Sequence, residues 1–177
     1  MTHLSISATH GVYAGALQFI LALATYLVNV NLFVEWWYGL IGLGLSVFFM
    51  FSGTAAARKA GDGFMSFGQT WLHAMVVAVA SSVVSVALTL VLYHVIAPEL
   101  PEVLTKLNID KSREFMEGMG MSGAMVDAAM KDAQASIEGA FTPGGMAVGA
   151  LWGLTMWALV GLIVAAINKR NRPSEFA

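Results

Sequence analysis

An all-helical integral membrane protein with four transmembrane helices is the fold this chain predicts, and three features predict it. Of its 177 residues 58% are hydrophobic and 11% charged, with a mean hydropathy of +0.72. Soluble domains carry about a quarter charged residues, so the supply here is too small to coat a soluble surface. The charges are also missing from four long stretches, residues 1–34, 36–57, 63–98 and 139–168. Each exceeds the ~20 apolar residues that cross a hydrocarbon core. Finally, the turn after span two and the tail after span four carry a basic excess, whereas the other connections are free of basic residues or predominantly acidic, as the positive-inside rule suggests for a multi-pass chain. The length fits a single membrane domain over residues 1–177. A net charge of −2 makes no basic field, so no nucleic-acid partner is expected. The absence of cysteine excludes disulfides, thiolate zinc sites and cysteine nucleophiles.

The first span is expected over residues 11–32. It has no basic stretch before it, and its apolar run is longer than the core of a cleavable signal, so it reads as an uncleaved anchor. The second is expected over 36–57, opening on Trp36, Trp37 and Tyr38 at one aromatic belt. The third covers 70–97, with Phe64, Phe67 and Trp71 at the opposite belt, and the fourth covers 144–167. Arg58 and Lys59 lie between spans two and three, and Lys169, Arg170 and Arg172 follow span four. This distribution predicts cytoplasmic termini and a cytoplasmic Arg58 turn.

Residues 99–138 form the one sizeable polar segment, expected outside, with eight acidic residues against four basic ones. Pro101 suits a helix start, and Leu100, Val103, Leu104 and Leu107 follow helical spacing. Asp110 is placed to cap a second short helix bearing Phe115, Met116 and Met119, which Gly118 and Gly120 then break. Ser122 is placed to cap a third, whose stripe is Met125, Val126, Ala129, Met130, Ala133 and Ile137. Such helices cover the bundle, lie on lipid or receive a partner. No internal repeat links the two halves, which weighs against an inverted-repeat transporter.

Four sets of residues are candidates for function. His73 and His94 are separated by about 31 Å of helix and cannot share a metal, whereas His10 could meet His73, and His94 could meet Glu35. Neither pair has a ligand spacing, so interfacial histidines are the plainer reading. Ser82, Ser85 and Thr89 repeat at i, i+3 and i+7 on span three and could line a polar path. Hydroxyls at this spacing more often help helices pack, at about 0.6 kcal/mol each. Gly145, Gly149, Gly153 and Gly161 form a ridge on span four, echoed by Gly11 and Gly15 on span one. Spacing alone leaves open whether the neighbour is the same chain or another. Trp152 and Trp157 lie inside span four, where each indole N–H wants a partner. Met116, Met119 and Met121 could bind Cu(I), but no histidine supports them, and methionine at helical spacing is usually adaptable apolar contact.

No acidic or basic side chain lies deep in a span, which removes the usual machinery of an ion pump. No GxSxG, Walker loop, dinucleotide fingerprint or carboxylate pair is present, so neither an enzyme nor a cofactor is expected.

The run RKAGDGFMSFGQTW, from Arg58 to Trp71, carries a resemblance. Its basic pair, Gly63-Phe64 and Ser66-Phe67-Gly68-Gln69 before a long span resemble a bacterial family of small membrane proteins catalogued as domain of unknown function 4199. The acidic outer connection, Gly120-Met121-Ser122 and the basic end of the last span are also similar to that family. Gly123 and Met125 depart from the more acidic helix start typical of it. The resemblance implies four spans in a bacterial cytoplasmic membrane and no assigned activity. Within the motif, Ser66 is placed to cap span three, Gln69 to reach the Arg58 turn, and Phe64 and Phe67 to anchor the interface.

The expected role is therefore a non-enzymatic membrane subunit that packs with itself or with another membrane protein. Its rivals are a small-solute transporter or channel built on the Ser82 face, and a periplasm-facing metal or ligand sensor built on the methionines.

Overall fold

A computed structural model describes residues 2–172. The chain is helical throughout, in the order α1 (Thr2–Val28), a 3-10 turn (Val30–Val34), α2 (Trp36–Ala60), α3 (Phe67–Val91), a π-helical turn (Leu92–Ile96), α4 (Leu100–Gly118), α5 (Gly123–Ala140) and α6 (Pro143–Asn168). Helices α1, α2, α3 with its π turn, and α6 are each long and apolar enough to cross a membrane. The chain is an all-helical, four-span integral membrane protein.

The spans start and stop where side chains satisfy loose backbone groups. Helix α1 begins at Thr2, nine residues before the predicted 11. The hydroxyls and imidazoles of this polar lead fold back on the helix: Thr9 donates to Ser5 O at 2.9 Å, and His10 Nδ1 lies 2.9 Å from Ile6 O. Low hydropathy there masks a regular helix. The same span ends early, because the Asn29 side chain accepts from Asn31 N and turns the chain into the 3-10 segment. Helix α2 runs on to Ala60, and α6 begins at Pro143, capped by Thr142.

Helix α3 is the axis of the bundle, packed against α1, α2 and α6. Backbones meet most closely between α1 and α3. A Cβ on Gly11 would stand 2.5 Å from Val77 O, and one on Gly15 would stand 2.7 Å from Ser81 O. Glycine is thus required at both positions by a neighbour within the chain. Towards the end that carries Arg58 and the C-terminal tail, here the basic end, Met50, Ala74, Val77 and Val164 form a buried cluster. Towards the other, acidic end, Leu92, Ala97, Leu100 and Leu104 bury against Phe19, Leu23, Phe33 and Phe141. Tyr26 donates to Glu99 Oε1 at 2.7 Å, tying α1 to the start of α4.

The polar connection folds as two helices, not three. Helix α4 passes unbroken through Asp110, because Thr105 and Asn108 bond back to Pro101 O and Leu104 O, and the ladder needs no new start. Gly120, at φ +84°, does break the chain before α5. Ser122 holds the N-cap position of α5 without a side-chain bond. Helix α4 rests on the 3-10 turn and on α5, and Arg113 pairs with Asp127 at 2.9 Å. On α5, Val126 and Met130 are buried, whereas Met125, predicted in the same stripe, is 58% exposed. Position 125 precedes 126 by one residue and so points about 100° away on the helix.

Candidate functional site

Two places gather polar side chains at membrane depth or at its border: a cleft beside α6 and the loop cluster at the basic end. The cleft arises because α2 and α6 meet at only part of their length. At the basic end Asn168 Nδ2 donates to Phe51 O at 3.0 Å and to Thr54 Oγ1 at 2.6 Å, and Arg58 donates to Asn168 O. Trp71 of α3 donates its indole N–H to Ala158 O at 3.1 Å, and Gly161 lies against that ring. Along α6 the buried residues are Gly161, Val164 and Ala165, all in its last third.

Nearer the acidic end, α2 and α6 enclose a cleft of about 310 Å³ over a floor of α1 and α3. Ser82, Ser85 and Thr89 line it together with Ser81, Gln18 and Ser46. Opposite stand Gly149 and Gly153, where an added Cβ would meet nothing within 4 Å. The polar stripe of α3 and half of the glycine ridge therefore face one space. At its basic end the cleft stops at Met50, Val77 and Trp157, which belong to or pack on the buried cluster.

The α3 hydroxyls of the cleft differ from others in the spans. Thr25, Ser46, Ser52, Thr54 and Thr70 each donate to a carbonyl three or four residues back on their own helix. Ser81, Ser82, Ser85 and Thr89 make no side-chain hydrogen bond among the described residues, a condition shared by Thr155 on the exposed face of α6. Gln18 donates to Ser46 Oγ at 2.8 Å, which leaves its carbonyl oxygen beside the same space. Hydroxyl groups left unbonded in an apolar surrounding cost free energy unless a partner meets them.

The other ridge glycines have local partners. A Cβ on Gly145 would run into the Gly139 backbone of the preceding turn, and one on Gly161 would lie 3.3 Å from Trp71 Cδ1. The ridge is thus four glycines in three environments. Trp152 is 72% exposed on the outer face, and the indole with a buried carbonyl partner is that of Trp71, not of a span-four tryptophan.

At the basic end the FxSFGQ run is a helix start. Ser66 Oγ accepts from Gln69 N at 3.4 Å and Ser66 N donates to Gln69 Oε1 at 3.0 Å, closing a reciprocal capping box on α3. The Gln69 oxygen is therefore spent on Ser66, and it is Arg58 that reaches across, to the last turn of α6. Gly63 takes φ +82°, a left-handed value that the turn before the cap requires. Gly68 has open space around it. Phe64 and Phe67 are about 40% exposed, and Lys169 lies over the Phe67 ring at 5.9 Å. Met65 and Arg170 exchange backbone bonds of 2.8 and 2.9 Å, pinning the tail to this loop. Asp62 pairs with Arg172. The Phe64 backbone N–H first, and Arg172 after it, hold the Asp62 carboxyl below the ordinary carboxylate range.

His10 and His73 do not pair. His73 Nδ1 lies 2.7 Å from Ser7 Oγ, and His10 turns to its own helix. His94 likewise bonds Leu90 O, and the neighbour of Glu35 is Lys111 at 3.7 Å. Among the described residues no three His, Cys, Asp or Glu side chains come together as metal ligands. Met116 lies in the last turn of α4, Met119 is its C-cap, and Met121 lies in the turn to α5. Gln18, with Thr25 and Asn29, is among the polar residues the sequence places inside span one, and sequence reasoning did not single out Ser46 in the cleft or His3, Ser7, Asp62 and Asn168 at the basic end. A local signal existed for Gln18 alone, as a polar side chain inside an apolar span.

No curated protein and no solved structure matches the chain. The family model described as "Protein of unknown function (DUF4199)" does match it, over residues 9–170, which includes all four spans and the FxSFGQ turn, and the chain belongs to that family.

Proposed function

We propose that this multi-pass membrane protein is a non-enzymatic assembly subunit of the bacterial cytoplasmic membrane, and that the rim of its cleft, where α6 carries Gly149 and Gly153, packs against a transmembrane helix of a second copy or of another subunit. The carrying observation is that Gly149 and Gly153 meet nothing inside the chain while unbonded hydroxyls stand across from them. Small residues let a second backbone approach, and hydroxyls at that contact find partners across the interface. The charge distribution supports cytoplasmic termini, with α4 and α5 on the outside.

The test is native mass spectrometry of the protein in mild detergent, comparing wild type with Gly149→Leu and Gly153→Leu. The expected result is a defined oligomer or a stoichiometric partner for wild type, lost in both variants while each still inserts and folds. A wild-type monomer, or variants that associate normally, would overturn the reading.

The unbonded hydroxyls support a second reading, a carrier for a small uncharged polar solute. The cleft volume of about 310 Å³ lies at the lower limit for small-molecule sites. Cysteines placed at Ser82, Ser85 and Thr89 would then react with membrane-impermeant thiol reagents. Uniform protection of all three would eliminate the carrier.

A further inference from the structure

The basic end contains a second cavity, of about 280 Å³, between the start of α1, the turn after α2 and the first turns of α3. Its walls include His3, Arg58, Gly61, Asp62, Gln69 and His73. Two facts set it apart from an ordinary packing gap. His3 Nδ1 is a buried side-chain nitrogen with no hydrogen-bond partner among the described residues. Such an atom costs free energy unless something meets it. The wall residue His73 is itself only 8% exposed, and Ser7 orients its ring through Nδ1.

The electrostatics of this end define the guest. Among the described residues Arg58, Lys59, Lys169, Arg170 and Arg172 face a single carboxylate, Asp62, whose charge Arg172 already engages. Arg58 donates one bond to the Asn168 carbonyl, and its guanidinium has further N–H groups to offer. A cation would meet Arg58 in the wall and no set of three metal ligands. An oxyanion would meet a guanidinium, the Gln69 amide and imidazole nitrogens. A neighbouring cavity shares Asp62, Phe64, Met65 and Gln69 and adds Arg170 and Arg172. Phe64, which lines both and is about 40% exposed, lies at the level where an aromatic belt meets lipid headgroups.

We propose that the cavity bounded by His3, Arg58, Gln69 and His73 binds a phosphate group, carried by an anionic lipid or free in solution. The site is independent of what occupies the cleft beside α6, and its test does not read oligomeric state. Delipidated protein in detergent would be titrated separately with phosphatidylglycerol and with diacylglycerol of the same chains, which lacks the phosphate, and retained lipid counted by native mass spectrometry. Wild type is expected to hold phosphatidylglycerol about tenfold more tightly, the worth of one charge-assisted hydrogen bond. His3→Gln and Arg58→Gln should each remove that preference. Lys59→Gln should keep it, because Lys59 is exposed and lies outside the cavity.

His3→Gln carries the test if Arg58→Gln loses its tie to α6 and fails to fold. A parallel titration with inorganic phosphate separates the sources. Displacement of the lipid by millimolar phosphate, sensitive to His3→Gln, assigns the site to a soluble anion, and no displacement assigns it to lipid. Equal retention of the two lipids with no binding of inorganic phosphate would overturn the proposal. So would a Lys59→Gln loss as large as that of the cavity variants, since that is diffuse surface attraction.

Discussion

The last third of α6 is held from three sides, whereas its first two-thirds border open space. At the basic end Asn168 bonds α2 twice, Trp71 of α3 bonds Ala158 O, and the Met65–Arg170 backbone pair clamps the chain that follows. Towards the acidic end the same helix presents Gly149 and Gly153 to the cleft and leaves Leu151, Trp152 and Met156 more than 60% exposed. The α1–α3 pair shows the opposite use of the same residue type, since Gly11 and Gly15 sit directly on the α3 backbone. Glycine spacing therefore has two meanings in one bundle. On α1 it closes an internal contact, and on α6 it keeps a surface free.

Substitutions at the two kinds of glycine break this comparison most forcefully. Gly15→Leu must displace Ser81 O and Val84, which stand under 3 Å from a first Cβ. Overpacking against backbone is expected to cost about 3 kcal/mol, read by equilibrium unfolding in mixed detergent micelles. Gly153→Leu grows into the cleft and should leave stability within about 0.5 kcal/mol of wild type. If the two variants unfold alike, the distinction between closed and open glycines is wrong.

The basic clamp is tested next. Asn168→Ala removes two bonds from α6 to α2, and at about 0.6 kcal/mol each for bonds between membrane helices the loss is about 1 kcal/mol. Protection of amide hydrogens should fall in the last turns of α6 and stay unchanged in α1. Even loss of protection along the bundle would mean that α6 is not anchored where the structure anchors it. Ser66→Ala opens the capping box and should cost somewhat less, about 0.5–1 kcal/mol, with fraying confined to the first turn of α3. Ser66→Asp should restore most of it, because a carboxylate also accepts from the Gln69 backbone N–H.

These contrasts also mark what the sequence made legible. Four spans could be read because hydropathy sums over neighbours in the chain, and the missing charges bounded each one. The start of α1 could not, since Thr9 and His10 look polar but satisfy themselves on their own helix. The Gly11–Gly15 and Gly149–Gly153 spacings are identical on paper. Only the position of α3 beside the first pair, and of the cleft beside the second, tells them apart. Ser82, Ser85 and Thr89 were visible as a stripe, yet their lack of bonds is a property of rotamers that spacing does not encode. The FxSFGQ run announced its cap through Ser66, but Asp62 and Arg172 lie 110 residues apart and left no local trace of their pairing.

The smallest expected effect sharpens the comparison from the side of charge. The Asp62 side chain is about half exposed, and its carboxyl is held below its ordinary value of 3.8 by the Phe64 N–H and then by Arg172. A group whose folded value is lowered stabilises the fold above its unfolded value and loses that contribution as pH falls through the folded one. Wild type should therefore exceed Asp62→Asn in stability by a constant small margin from neutral pH down to about pH 4, and the margin should shrink progressively below that as pH falls through the lowered folded value. High salt should shrink it as well, because an exposed pair is screened. Were the margin to stay the same at every pH, the loop would be held by its backbone bonds to Arg170, with the Asp62 charge contributing nothing. The clamp on α6 would then be a matter of geometry alone, and the cationic residues around it would be left free for an external anion.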